Sequence, residues 1–178
     1  QVAKGQRDEM RSTLTAILRV VLYLAVPAAV GLVVLRLQLI QLVFERGAFT
    51  PTSTQMVAWA LALFALGLPA HSVVEIVVRA FYALHDTRTP VAIGVGAMAL
   101  NIALSLAFIA VCQRVGLMPH GGLALSNSVA TTVEMALLLG ILWRRLGGLE
   151  GRRLVTSLAR TALASLIMGA VISWLIWL

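Results

Sequence analysis

The sequence predicts an all-α, polytopic membrane protein with five transmembrane helices. Two observations lead to this class. Of the 178 residues, 60% are hydrophobic and only 12% are charged, whereas soluble domains carry roughly 25% charged residues. Most of the chain also falls into five apolar stretches, each near or above the roughly 20 residues that a helix needs to cross the hydrocarbon layer. Barrel strands fit poorly, because they are about 10 residues long with strict polar alternation.

Glycine, proline and polar clusters divide the chain into ten segments. The breaks lie at Gly47 to Pro51, His85 to Pro90, Pro119 to Gly122 and Gly147 to Gly151. The expected order is a lead-in (1–13), a helix (14–44), a turn (45–55), a helix (56–84), a turn (85–90), a helix (91–112), a loop (113–122), a helix (123–143), a loop (144–154) and a helix (155–178). Thr89 followed by Pro90 predicts an N-cap with proline at the first helical position.

The basic residues predict the orientation in the membrane. One side of the bundle receives Lys4, Arg7, Arg11, Arg88, Arg144, Arg145, Arg152 and Arg153, and the other receives Arg46 and Arg114. The first side is expected to be cytoplasmic, because cytoplasmic loops carry an excess of Lys and Arg. The N-terminus then lies in the cytoplasm and the C-terminus outside. Nucleic acid is not expected as a partner, because the basic residues are divided among loops rather than gathered on one face.

Ionisable residues on one face of the second helix form a candidate functional stripe. His71, Glu75 and Arg79 follow one another at i, i+4 spacing, with Glu before Arg in the order that favours an ion pair. A charged group within a membrane helix indicates function by default, since inserting it costs about 2.5 to 3.5 kcal/mol. The stripe either lines a hydrated cavity or contains a pair that neutralises itself near the helix end.

The fourth helix carries a second polar face. Asn127, Thr131 and Glu134 share that face, and Glu134 is the deepest acid in the chain. It is either part of a proton or cation relay or a protonated carboxyl bonded to a neighbouring helix. The third helix places four small or polar side chains on one face: Gly94, Ala97, Asn101 and Ser105. That pattern predicts close helix packing.

Neither a metal site nor a cofactor is expected. The single cysteine, Cys112, excludes an internal disulfide, and His71, His85 and His120 lie far apart in sequence and in predicted depth. The chain also lacks paired catalytic acids, a nucleophile–base pair and a metal-ligand cluster. These absences disfavour an intramembrane enzyme.

Two runs of residues carry a family resemblance. The run LVFERGAFT, from Leu42 to Thr50, precedes the run RAFYALHDTRTP, from Arg79 to Pro90. At this spacing they resemble the MurJ (MviN) family of lipid II flippases, in the superfamily of multidrug extruders and polysaccharide exporters. The resemblance implies that the five helices are a fragment of a larger helical transporter, corresponding to its ninth to thirteenth helices.

The resemblance also implies a function. Members of the family move the undecaprenyl-linked peptidoglycan precursor across the bacterial cytoplasmic (inner) membrane by alternating access, in cell-wall biosynthesis. The implied partners are this lipid substrate, membrane lipids and the cell-wall synthesis machinery. Two alternatives remain: another exporter of the superfamily, for a lipid-linked polysaccharide or a drug, and a non-transporting membrane scaffold.

The resemblance implies two motif turns as site residues. One consists of Glu45, Arg46, Gly47 and Phe49, and the other includes Phe81, Tyr82, Asp86, Arg88 and Pro90. Conformational support is the expected role, with Asp86 accepting backbone N–H bonds ahead of the next helix. Contact of Arg46 or Arg88 with phosphate or with lipid headgroups is the alternative. The candidates for a cavity or for coupling are Glu75, Arg79, Asn127 and Glu134.

Overall fold

The computed structural model describes residues 2–44, 50–115, 119–148 and 151–178. Its helices are α1 (Val2–Phe44), α2 (Pro51–Ala83), α3 (Arg88–Val115), α4 (Pro119–Arg145) and α5 (Gly151–Trp177). Each contains a stretch that is long and apolar enough to cross a membrane. Since the described residues contain no strand, the predicted fold class is confirmed.

The helices extend beyond the apolar runs that predicted them. Residues 2–13, which the sequence predicted as a lead-in before the first helix, are helical, and α2 begins at Pro51 rather than at position 56. The predicted starts of α4 and α5 are also too late. Backbone groups satisfy one another within a helix whatever the side chain is, so polar residues can continue it. Thr50 begins α2, because its Oγ1 accepts a hydrogen bond from the Ser53 N–H at 3.3 Å while Pro51 takes the first helical position.

The central helices of the bundle are α2 and α4. They pack along each other, with α1 on the other side of α2 and α3 on the other side of α4, while α5 packs along α1. The Ser128 Oγ donates to the Leu63 carbonyl, and Thr131 contacts His71 further along both helices. These two contacts show that α2 and α4 run in the same direction. Because α2 and α3 touch at only a few described positions, α4 bridges them.

Small residues let α4 approach its two neighbours closely. A Cβ on Gly67 would lie 2.7 Å from the Ser128 Oγ and 3.0 Å from the Ser128 Cα, so only glycine fits there. On the other side of α4, the hydroxyls of Ser105 and Ser126 are 2.7 Å apart. The Ser105 contact lies on the predicted packing face of α3, and both contacts match the use of small residues in membrane helix interfaces.

The main apolar cluster lies towards the C-terminal ends of α2 and α4, where the start of α1 covers it. Its members are Leu14, Leu18, Val73, Val77, Ala80, Phe81, Leu138, Leu142 and Leu146. Phe81 is the largest side chain in the cluster and is 0% exposed. The cluster therefore fixes the relative position of α2 and α4 close to the turn that leads into α3.

Candidate functional site

A polar cleft lies between α2, α3 and α4, near the middle of the candidate span Gly121–Arg145. It is a cavity of about 230 Å³, and its polar lining consists of His71, Asn101, Asn127, Thr131 and Glu134. The cleft exists because α2 and α3 both pack on α4 and hardly contact each other. The structure therefore brings the predicted face of α4 together with His71 of α2.

Hydrogen bonds to His71 join α2 to α4 in the polar cleft. The His71 Nε2 lies 3.0 Å from the Asn127 Nδ2 and 3.2 Å from the Thr131 Oγ1. Because an amide nitrogen donates, the Nε2 accepts in this arrangement and the ring proton belongs on the Nδ1. The Asn127 amide and the Thr131 hydroxyl therefore both hold the same edge of the His71 ring against α4.

Glu134 faces open space in the same cleft. A Cβ on Gly94 would be 3.5 Å from the Glu134 Oε1, so the missing side chain of Gly94 leaves room beside the carboxyl group. Among the described residues, Glu134 has no hydrogen-bond partner. This arrangement differs from the predicted alternative in which the carboxyl is bonded to a neighbouring helix.

The predicted ion pair on α2 is present. The Arg79 Nη2 and the Glu75 Oε2 are 3.5 Å apart, and both side chains are more than 70% exposed. Arg79 also lines a cavity of about 670 Å³ between α1 and α2, together with Glu9 and Thr13. Arg79 thus belongs both to an ion pair and to the lining of a cavity. Both expected arrangements of this stripe are therefore present together.

A second constellation, the helix junction, consists of Phe81, Asp86, Thr89 and Arg145. The Asp86 Oδ1 accepts hydrogen bonds from the backbone N–H groups of Arg88 and Thr89, at 3.1 and 3.0 Å. The Asp86 Oδ2 accepts one from the Thr89 hydroxyl at 2.6 Å and another from the Arg145 guanidinium. Asp86 therefore ties the start of α3 to the end of α4.

The prediction that Thr89 is the N-cap of α3 was wrong. The helix begins at Arg88, and the Thr89 hydroxyl donates to Asp86 instead of accepting a backbone N–H. A carboxylate is a stronger acceptor than a hydroxyl, so Asp86 bonds the first N–H groups and the helix starts earlier. Pro90 still lies in the first turn, where its missing N–H costs nothing.

Arg145 completes the helix junction. It forms an ion pair with Asp86, and its Cζ lies 5.4 Å from the centroid of the buried Phe81 ring. The Thr89 hydroxyl, the Thr89 N–H and Arg145 together lower the pKa of Asp86 to about 2 from its ordinary 3.8. The carboxylate is therefore charged across the physiological pH range.

The backbone before the junction ends in a Schellman motif. The Asp86 N–H bonds to the Phe81 carbonyl at 3.0 Å and the His85 N–H to the Tyr82 carbonyl at 2.9 Å. His85 has a φ of 58°, which is the left-handed conformation that such an ending requires. This motif ties the Asp86 backbone to that of Phe81, and from there the Asp86 carboxylate bonds to Thr89 of α3 and Arg145 of α4.

The remaining predicted site residues take peripheral positions. Tyr82 and Arg88 are exposed, while Pro90 is buried. The other motif turn, with Glu45, Arg46, Gly47 and Phe49, lies outside the described residues. Among the residues that are described, no cluster of three or more His, Cys, Asp or Glu side chains is placed to hold a metal ion.

Arg145 is the functional-site candidate that the sequence analysis missed. It was used only as a marker of orientation, although its position in the last turn of α4 puts it at the same end of the bundle as Asp86. The His71 contact with α4 was also missed, because the pairing of α2 with α4 sets it and neither helix reveals that register by itself.

Comparisons with known proteins agree on one family. The model of the family described as lipid II flippase MurJ matches residues 1–178. A probable lipid II flippase MurJ of Rhizobium meliloti is 36% identical over 152 residues, which are 84% of this chain and 27% of that protein. The corresponding protein of Vibrio cholerae is 32% identical over 162 residues, 88% of this chain and 29% of the relative.

A solved structure agrees with these relatives. It is that of a lipid II flippase MurJ in an inward closed conformation, with a TM-score of 0.79 and 27% identity. The match covers 95% of this chain and 34% of that one, so the chain spans between about a quarter and a third of the length of the proteins it matches. The chain belongs to the lipid II flippase MurJ family.

Proposed function

We propose that the chain is a membrane-spanning part of a flippase that moves lipid II, the undecaprenyl-linked peptidoglycan precursor, across the bacterial cytoplasmic membrane in cell-wall biosynthesis. The observation that supports this most is the match of the family to the whole chain, residues 1–178. The similarity to a solved flippase at a TM-score of 0.79 supports it independently. The proposed mechanism is alternating access, with the cell-wall synthesis machinery as a partner.

The proposed orientation has the start of α1 in the cytoplasm and the end of α5 outside. The excess of basic residues on one side supports it. In this orientation the helix junction lies at the cytoplasmic surface and the polar cleft lies in the middle of the bilayer. The junction then acts as conformational support, since its charged groups contact one another.

The polar cleft is the proposed coupling site. Glu134 contributes an ionisable carboxyl group to the cleft, and His71 carries hydrogen bonds that join α2 to α4. A proton or a cation that alters the charge of the cleft would change the strength of that contact. Binding at this site would thereby bias the arrangement of the helices, which is what alternating access requires.

Complementation tests the transport assignment. The complete gene product that carries this chain is expressed in bacteria that have been depleted of their own lipid II flippase, and growth is measured. We expect rescue of growth, with lipid II accessible at the outer face of the membrane. If a stably inserted protein fails to rescue, the assignment to lipid II is wrong and another lipid-linked sugar or a drug becomes the substrate to test.

A further inference from the structure

A groove between α1 and α5 contains polar side chains that neither the polar cleft nor the helix junction uses. Its volume is about 380 Å³. The lining residues are Ala16, Arg19, Val20, Tyr23, Leu24 and Ser157. Arg160 lies one turn after Ser157 on α5 and is exposed, so it stands on the edge of α5 that borders the groove. The groove therefore has one arginine in its lining, Arg19, and a second one, Arg160, lies one helical turn beyond Ser157 on α5.

The register of α1 and α5 places the two arginines at similar depth. A Cβ on Gly169 would lie 2.8 Å from the Val30 Cγ1, and Ser157 shares the groove with Arg19. The sequence separation is nearly the same for both pairs, so the two helices run parallel in a constant register. That register brings Arg160 level with the turn of α1 that runs from Arg19 to Tyr23.

Both arginines lie in candidate membrane spans, Glu9–Phe44 for Arg19 and Leu154–Trp177 for Arg160. In the part of the chain that the structure describes, the ion pairs join Glu75 to Arg79 and Asp86 to Arg145, so neither groove arginine takes part in one. A charged group in a span needs a counter-ion or has to reach the interface. Arg160 is less than two helical turns from the start of its span, which is the depth from which a long side chain reaches the headgroup layer.

We propose that this groove binds the phosphate of an anionic membrane phospholipid, in the leaflet at the N-terminal ends of α1 and α5. Two guanidinium groups suit a phosphate, because each can donate two parallel hydrogen bonds. The hydroxyls of Tyr23 and Ser157 offer further donors, and Val20 and Leu24 offer an apolar wall to an acyl chain. Basic sites between membrane helices bind anionic headgroups in this way.

The proposal is tested by lipid binding to the complete gene product. The protein is placed in nanodiscs of phosphatidylcholine with increasing phosphatidylglycerol, and native mass spectrometry measures the retained phosphatidylglycerol. We expect Arg19→Gln and Arg160→Gln each to weaken its binding about fivefold, and the double variant about 25-fold. The matched control is Arg144→Gln, an exposed arginine at the end of α4, which should bind as the unmodified protein does.

Three outcomes would overturn the proposal. The double variant could bind phosphatidylglycerol like the unmodified protein, phosphatidylcholine could bind equally well, or inorganic phosphate could displace the lipid and so reveal a site for a free anion. Should the double glutamine variant fail to fold, Arg19→Lys with Arg160→Lys retains both charges but loses the paired guanidinium hydrogen bonds, so it is expected to bind phosphatidylglycerol about fivefold more weakly, and unchanged binding would contradict the proposal. Failure to transport lipid II would leave phosphatidylglycerol binding unchanged, so the two proposals fail separately.

Discussion

The helix junction and the polar cleft both contain a carboxyl group, but their surroundings differ. In the junction, Asp86 accepts two backbone N–H groups, a hydroxyl and a guanidinium. In the cleft, Glu134 borders a cavity and has no hydrogen-bond partner among the described residues. A fully paired charge stabilises one arrangement of the helices, whereas a carboxyl without partners in a membrane can bind a proton or a cation. The comparison therefore assigns Asp86 to the contacts that hold the helices together and is consistent with the coupling role proposed for Glu134.

The largest effect that tests this difference between the junction and the cleft is a loss of stability on substitution of Phe81. Phe81→Ala removes a ring that is 0% exposed and contacts both the apolar cluster and Arg145. We expect a loss of about 3 kcal/mol in the free energy of unfolding, because the neighbouring helices cannot close the cavity. The measurement is denaturant unfolding of the complete gene product in detergent.

Tyr82 provides the matched control for Phe81. It is the next residue of the same motif and is 49% exposed, so Tyr82→Ala should cost much less stability. Equal losses for the two variants would contradict a junction that depends on burial of Phe81. Transport per folded molecule should be similar for both, because neither side chain lines the polar cleft.

The second largest effect is expected from a substitution of Glu134, and it concerns the rate of transport rather than stability. Glu134→Gln keeps the size of the side chain and removes its ability to carry a negative charge. We expect a transport rate at least about tenfold lower, with little change in thermal stability, because the carboxyl group makes no hydrogen bond within the described part of the bundle. The rate is measured with lipid II in proteoliposomes. A variant that transports normally would remove Glu134 from the coupling site.

Two adjacent threonines on α4 test whether the hydrogen bonds of the cleft matter. Thr131 contacts the His71 Nε2 at 3.2 Å, whereas the Thr132 hydroxyl donates to the Ser128 carbonyl of its own helix. Thr131→Val should slow transport about fivefold, which corresponds to the loss of one hydrogen bond of roughly 1 kcal/mol. Thr132→Val makes the same chemical change outside the cleft and should transport normally. If both variants transport equally, the α2–α4 contact has no role in coupling.

The features that the sequence predicted depend on residues that lie close to one another along the chain. Apolar runs of sufficient length require helices in a membrane, and the i, i+4 spacing of Glu75 and Arg79 makes them neighbours on any helix. The helix ends were predicted less well. Their positions depend on which side chain captures the first N–H groups, as Asp86 does in place of Thr89.

The contacts that the sequence did not predict depend on the pairing between helices. Arg145 meets Asp86, and His71 meets Thr131, only because α2 and α4 run parallel in one particular register. The approach of Ser128 to Gly67 contributes to that register, and a single glycine in an apolar run does not reveal its partner. The sequence could therefore identify the polar residues of the cleft but could not show which of them meet.

The smallest effect concerns the pH dependence of the helix junction. Asp86 has a pKa of about 2 in the folded protein and an ordinary value of 3.8 when unfolded. Its contribution to stability is therefore fully present above the unfolded pKa and is lost as the pH falls through the folded pKa, between about 3.8 and 2. We expect the complete gene product to lose more stability over this interval than its Asp86→Asn variant does, in thermal unfolding of both proteins. The other carboxyl groups titrate in both proteins, so the difference isolates Asp86, and parallel curves would mean that the junction does not depend on its charge.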